Sequence, residues 1–448
     1  MLLDELKRWI DRKEIYAIKG PRQSGKTTLL SMLREWLTSE RGGRVNPEQI
    51  IFIDFEDREN IEKLMGNPKE YIESFIKNKS RYYFLLDEFQ YVEDGGRILK
   101  LLYDSFENVK FIITGSSSLE LTSKTSRHLV GRMFSFNLFP FSFEEYLRAR
   151  DPRLARIYQK RNNGIWNGKI WGSREPPEDI FLEDFRRLFE EFVIFGGYPE
   201  VVKTKDKETK EIILKNLYET YITRDVIELL RVYDVFKFRK LVSALSAQLG
   251  GMVKYNELAS LAGSYYKEIV GITDILEETY VIRQLRPFYR NLRTELRKNP
   301  KIYFVDLGLR NYAIGNFNPL DTRPDMGEIV ENFVLSQLMA RAEGGWRGSG
   351  EAGRGGSGEA GRGGSDGGEV NYWRTQGKAE VDFVLTMGDK VIPIEVKYKR
   401  FKEPKISRSF RSFISAYQPK RAIVLTEDFW SVEEIGHTTV AFVPVFYI

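Results

Sequence analysis

Gly20, Pro21, Arg22, Gln23, Ser24, Gly25, Lys26 and Thr27 fit the pattern G-x-x-x-x-G-K-[ST] at every fixed position. A triphosphate is polyanionic, so its site needs several backbone N–H groups turned inward, and glycines leave that cradle clear of side chains. Lys26 is placed to reach the β- and γ-phosphates of ATP, and the Thr27 hydroxyl to hold Mg²⁺, with Thr28 beside it in the nucleotide-binding set. The apolar run from Tyr82 ends in Asp87 and Glu88. Asp87 is the natural second anchor for the magnesium shell, and Glu88 the base that orients an attacking water. A third run ends in Thr114, Gly115 and Ser116. Beside Asp87, Thr114 or Ser116 would reach the γ-phosphate or the water; a hydroxyl cluster after a strand is also an ordinary helix cap or turn. Arg132 is a candidate for stabilising transition-state charge, from its own chain or a neighbouring one, or else a plain surface arginine.

A second constellation lies near the C-terminus. Ala379 to Met387 and Lys390 to Tyr398 flank Gly388 and Asp389, a two-residue hairpin turn of the primed type. That register sets Asp382 opposite Glu395. Opposed carboxylates repel unless a divalent metal with oxygen ligands lies between them. Lys397 shares their face, because side chains alternate along a strand, and there it would orient water or steady a phosphoryl group. Glu380, opposite Lys397, offers a plain salt bridge instead.

The elements that must position these groups are legible from periodicity. Strands are expected at 15–18, 50–54, 81–87, 108–114 and 133–138, and a helix follows the phosphate loop through Leu29, Leu30 and Leu33. From Asp151 to about Asp184 the pattern is broken by Asn162, Asn163, Gly164 and the prolines at 176 and 177, so an irregular connection is expected. Helices follow at 185–195, ended by Gly196 and Gly197, and at 208–231. Segments 236–249, 255–262 and 264–278, then a strand from Tyr280, fit a winged helix-turn-helix. Seven basic residues (Arg283, Arg286, Arg290, Arg293, Arg297, Lys298, Lys301) stand against Glu295 in the expected wing, which suits DNA phosphates. Glu268, Asp274, Glu277 and Glu278 on the expected recognition helix oppose that reading, and such modules also serve as protein-packing units. A helix over 327–341 carries Glu328 and Glu331. Residues 344–368 are Gly-rich, with Gly-Ser-Gly-Glu-Ala-Gly-Arg-Gly twice in tandem, the composition of a tether.

The order of phosphate loop, acid-ended strand, Thr114-Gly115-Ser116 strand, Gly131-Arg132 and then Phe139 to Tyr146 resembles the AAA-type ATPases of archaea and bacteria that carry an appended C-terminal domain of unknown function. The resemblance covers nearly the whole chain. It implies a P-loop NTPase sheet with one strand inserted between the phosphate-loop strand and the Asp87 strand, Glu88 as catalytic glutamate, and an arginine acting between subunits of a homo-oligomer. Thr223, Arg224 and Asp225 match the start of the appended domain. The tail resembles restriction-endonuclease-like nucleases, whose pattern is E…D…E-x-K. Carried over, Glu331, Asp382 and Glu395 would bind Mg²⁺ or Mn²⁺ and Lys397 would assist, with Glu328 an alternative to Glu331.

Composition narrows the classes. The chain has 448 residues, 42% hydrophobic and 13% aromatic, enough for about two to four domains. With no cysteine and only His128 and His437, neither a thiolate nor a histidine-rich metal centre can be built. The formal charge of +5 permits a nucleic-acid partner without arguing for one. No apolar run suits a signal core or membrane span, so the cytoplasm is the expected address. The expected architecture is an α/β P-loop ATPase core at 1–150, a helical connection at 151–232, a winged helix at 233–300 and an endonuclease-like domain at 301–448. The expected function is ATP binding and hydrolysis coupled to DNA binding and a nuclease-like tail. The alternative is a nucleotide-dependent switch for a protein partner, with an inactive tail.

Overall fold

The computed structural model describes residues 2–39, 45–115, 129, 131–167, 171, 179–225, 235–288, 299–343 and 368–448. Ser116, most of the expected basic wing (Arg290, Arg293, Glu295, Arg297, Lys298) and the Gly-rich stretch up to Gly367 lie outside the described residues. The chain divides into two compact units, Met1–Pro140 with Asp274–Val281, and Phe141–Thr273 with Ile282–Ile448.

The first unit is built on strands β1 (Ile15–Lys19), β2 (Ile50–Asp54), β3 (Tyr82–Asp87), β4 (Val109–Gly115) and β5 (Met133–Asn137). All pairings are parallel, in the order β2-β3-β4-β1-β5. The expected insertion of one strand, β4, between the phosphate-loop strand and the Asp87 strand is therefore present. β1, β3 and β4 are buried along their whole length, as their near-continuous apolar runs require of strands covered on both faces. Helix Lys26–Thr38 lays Leu29, Leu30, Leu33 and Leu37 on one face, against Tyr16, Ile18, Leu85 and Ile112. Helix Gly95–Ser105 covers the other with Leu99 and Leu102, against Phe84, Phe111 and Ile113. Because every strand points the same way, Gly20, Asp87 and Gly115 reach one edge of the sheet, where such folds bind ligands.

In the second unit the irregular connection expected after Asp151 is instead a helix, Pro152–Trp166. Asp151 accepts N–H bonds from Arg153 and Leu154, and Pro152 sits at its first turn, where no N–H is needed. Asn162 and Gly164 lie inside this helix because they pack: Asn162 is buried and its amide donates to the Tyr447 carbonyl (2.9 Å). Segments of this unit before residue 232 and after residue 300 share a core. Phe143, Phe189, Phe192 and Phe333 contact one another edge to face, with ring centroids 4.8–6.3 Å apart.

Helices Val235–Ala247, Tyr255–Ala262 and Tyr266–Glu278 are followed by β6 (Ile282–Leu285) and β7 (Lys301–Phe304), which pair antiparallel, and Met252 adds a bridge to Lys301. A six-stranded sheet comprises β8 (Glu369–Arg374), β9 (Glu380–Met387), β10 (Lys390–Val396), β11 (Arg421–Thr426), β12 (Ser431–Ile435) and β13 (Thr438–Pro444), ordered β12-β13-β11-β10-β9-β8. The β9–β10 register runs from Met387↔Lys390 to Phe383↔Ile394, as the Gly388-Asp389 turn predicts. Gly388 has φ 58°, the left-handed value that a primed turn requires of its first central residue.

Candidate nucleotide site and the charged cluster of the tail

The loop after β1 closes tightly. A Cβ at residue 20 would lie 2.0 Å from the Leu138 carbonyl oxygen, so only glycine fits. Gln23 (φ 59°) and Gly25 (φ 98°) are left-handed, and such alternation turns successive N–H groups into an anion-binding concavity. Lys26 begins the next helix and is buried; its Nζ donates to the carbonyls of Gly20 (3.2 Å) and Pro21 (3.1 Å) and lies 4.0 Å from Glu88 Oε1. Burial lowers the Lys26 ammonium, and Glu88 and Asp87 pull it back up. Arg22, at the rim, pairs with Glu56 (3.6 Å).

The groups expected to share the metal are in contact. Thr27 Oγ1 donates to Asp87 Oδ2 (2.6 Å), and Thr114 Oγ1 donates to the other carboxylate oxygen while accepting the Glu88 N–H (3.1 Å). Thr114 is thus fully buried between the two acids. Glu88 adopts φ 50°, a left-handed value that a non-glycine residue holds only when its surroundings impose it. The residue that reasoning from sequence overlooked is Gln90, whose amide donates to Glu88 Oε2. Its position two residues beyond an acid-ended strand was the available signal. The donor set of a hydroxyl and a carboxylate suits a hard divalent cation, and the Ser24 hydroxyl is buried without a partner at the same loop. The residues present therefore fit Mg²⁺ and a nucleotide phosphate.

Arg132 is placed elsewhere. Its carbonyl accepts the Ile15 N–H (2.8 Å), so it stands where β1 and β5 begin, about 16 Å along the strands from the loop at their far end. Its guanidinium is held by Asp104 (3.1 Å). The reading in which Arg132 serves the site of its own chain is corrected accordingly: a residue preceding a parallel strand faces the edge opposite the ligand.

In the tail, Glu331 and not Glu328 faces the hairpin: Glu331 Oε1 accepts from Lys301 Nζ (3.2 Å) and the Tyr303 hydroxyl, whereas Glu328 is exposed. Asp382 Oδ2 accepts the Val396 N–H (2.7 Å), and burial, reinforced by Glu331, raises its carboxyl above the ordinary range. Lys397 pairs with Glu395 (3.3 Å), not with Glu380 as the simple alternative had it. Glu380 is taken by Lys301 (2.6 Å) and Arg374 (3.2 Å). Among the described residues no three Asp, Glu, His or Cys side chains converge to hold a metal ion. The three-carboxylate metal site expected of Glu331, Asp382 and Glu395 is corrected on that ground, since an ammonium and a phenol already occupy Glu331. Lys301, counted from sequence among the wing's basic residues, is buried here and not offered to phosphate.

Comparison with known proteins agrees with the first unit. Residues 12–147 match the family described as AAA domain, residues 186–320 the domain of unknown function DUF8612, and residues 326–444 the domain of unknown function DUF4143. An uncharacterized protein of Haemophilus influenzae is 23% identical over 98% of this chain and 96% of its own. An uncharacterized protein of Methanocaldococcus jannaschii is 26% identical over 73% of this chain and 68% of its own. Among solved structures, the Aeropyrum pernix ORC1 protein in complex with DNA aligns over 70% of this chain and 91% of its own at 14% identity and a TM-score of 0.26. The replication initiator DnaA, bound to AMPPCP and single-stranded DNA, aligns over 62% and 86% at 16% identity and a TM-score of 0.25. Likeness at those scores does not carry function from one chain to another. Among the described residues no helix is long and apolar enough to cross a membrane. The N-terminal unit is thus an α/β fold on a parallel five-stranded sheet, in which residues 12–147 match an AAA domain, followed in the chain by segments that match two domains of unknown function.

Proposed function

We propose that the chain hydrolyses Mg·ATP at the edge formed by the phosphate loop, Asp87 and Glu88, and uses the nucleotide state as a switch. The observation that carries this reading is the direct Thr27–Asp87 contact, with Lys26 buried beside it and Glu88 4.0 Å from the ammonium. When bound, Mg²⁺ would be held by Thr27 and Asp87 and would neutralise charge on the phosphate oxygens. Lys26, now turned onto loop carbonyls, is freed to reach phosphate. Glu88 is held by the Thr114 hydroxyl at its N–H and by Gln90 at Oε2, in position to accept a proton from water at Oε1, the oxygen beside Lys26. Thr114 ties Asp87 to Glu88, so a change at either is felt by the other.

Helices 235–247, 255–262 and 266–278 with the β6–β7 pair support a winged helix-turn-helix, and Arg283 and Arg286 supply charge for a DNA partner. A second reading, a protein partner for this segment, is favoured by its apolar exposure: Phe236 is 77% exposed, Tyr265 64% and Tyr266 52%. Phosphate release from ATP with and without duplex DNA, over a range of salt, separates the two. DNA that stimulates turnover, with an effect that fades as salt rises, supports the DNA reading. Absence of any DNA affinity at low salt removes it and leaves the protein partner.

A further inference from the structure

The tail carries the carboxylate pattern of a metal-dependent nuclease, and yet its acids are already neutralised from within the chain. Lys301 Nζ lies 2.6 Å from Glu380 Oε1 and 3.2 Å from Glu331 Oε1, and Lys301 is 3% exposed. Tyr303, two residues along the same strand, donates to the same Glu331 oxygen. Arg374 holds the other oxygen of Glu380, the Val396 N–H holds Asp382, and Lys397 holds Glu395 Oε1. Three cations therefore stand against four carboxylates, and Glu395 Oε2 is buried without a hydrogen-bond partner.

We propose that Lys301 is the resident counter-cation of this cluster and that its ammonium takes the place a divalent metal ion would otherwise fill, closing the site to metal. The charge balance supports this. With all four carboxylates ionised, the cluster with Lys301 is one negative charge from neutral; without it the deficit is two, which one divalent cation with oxygen ligands matches. The location of the lysine supports it further. Lys301 is not part of the tail's six-stranded sheet: it opens β7, where its backbone is pinned by pairing with Leu285 of β6 and by the bridge to Met252. The small two-stranded sheet thus supplies the cation, and the tail supplies the acids. A pair with one buried partner is costly to break on one side, because the acids left behind are only partly exposed to solvent. This inference rests on the carboxylate pattern of the tail and not on ATP hydrolysis, and its test uses no nucleotide.

The test is Mn²⁺ binding by the full chain without nucleotide, followed by calorimetry and by the paramagnetic signal of free Mn²⁺. The wild type is expected to show no binding that depends on Asp382, judged against Asp382→Asn. Lys301→Met is expected to gain one site at least about tenfold tighter than any in the wild type, lost again in Lys301→Met combined with Asp382→Asn. Lys301→Met is also expected to melt lower than wild type and to recover with Mn²⁺. If it does not fold, Lys301→Gln, which retains a donor toward Glu331 and Glu380, is measured instead with the same expectation. Wild-type Mn²⁺ binding that Asp382→Asn abolishes overturns the proposal, as does a folded Lys301 variant that gains no site.

Discussion

Lys110 shows how far a single side chain in this protein departs from its solution behaviour. It sits in β4 with Nζ 3.4 Å from the centroid of Tyr16, donating to the carbonyls of Arg12 (3.1 Å) and Glu14. Burial lowers its ammonium to about 7. In the unfolded chain lysine keeps its proton to a much higher pH, so between these values the unfolded state binds more protons and stability rises with pH. Unfolding midpoints in urea are therefore expected to increase from pH 7 toward pH 10, by up to about 4 kcal/mol, and Lys110→Met is expected to flatten that rise. An unchanged pH dependence in the variant would assign the effect elsewhere. At the phosphate loop the limit is steric instead. Gly20→Ala sets a methyl group 2.0 Å from the Leu138 carbonyl oxygen, so the loop must shift and nucleotide affinity is expected to fall by at least about tenfold, read by equilibrium binding of a fluorescent ATP analogue.

At the scale of elements, Asp306 joins two segments far apart in sequence. It caps helix Leu307–Ala313 through the Leu309 N–H (3.0 Å) and accepts the Gly197 N–H (2.7 Å) just past helix Leu182–Phe195. Burial raises its carboxyl to about 6. Gly196 (φ 79°) must be glycine there, since a Cβ would lie 2.3 Å from the Asp306 carboxylate. Asp306→Ala leaves two N–H groups buried without acceptors, a loss of about 2–4 kcal/mol expected in the denaturation of this unit. A cost within experimental error would mean that water replaces the carboxylate. The sequence made the strands of the first unit and the β9–β10 hairpin legible, because apolar runs ending in acids and a Gly-Asp turn are local signals. It did not reveal helix Pro152–Trp166, where Asn162 and Gly164 read as breakers until tertiary packing is known. Nor did it reveal Lys301, which by composition belongs to a basic wing and by packing belongs to Glu331 and Glu380. Thr27, Asp87 and Thr114 were readable as neighbours because parallel strands end at a common edge. Arg132 was not, because its neighbourhood to Gly131 says nothing about which edge it occupies.

For the whole molecule, the nucleotide edge and the tail cluster differ in what they leave open. The first has a buried hydroxyl without a partner and a lysine resting on loop carbonyls; the second has most of its acids already paired. With Arg132 at the edge opposite its own phosphate loop, any arginine contribution from it must come from another copy. Turnover per chain in the wild type is then expected to rise with protein concentration, and to become concentration-independent in Arg132→Ala. The same concentration dependence in both would exclude Arg132 from that role. The most direct test of the central claim is phosphate release from Mg·ATP measured beside ATP binding, in wild type, Lys26→Ala and Glu88→Gln. Wild type is expected to bind and turn over ATP, Lys26→Ala to lose binding, and Glu88→Gln to bind as wild type does while losing at least about a hundredfold in turnover. Wild-type turnover retained by Glu88→Gln would contradict the account.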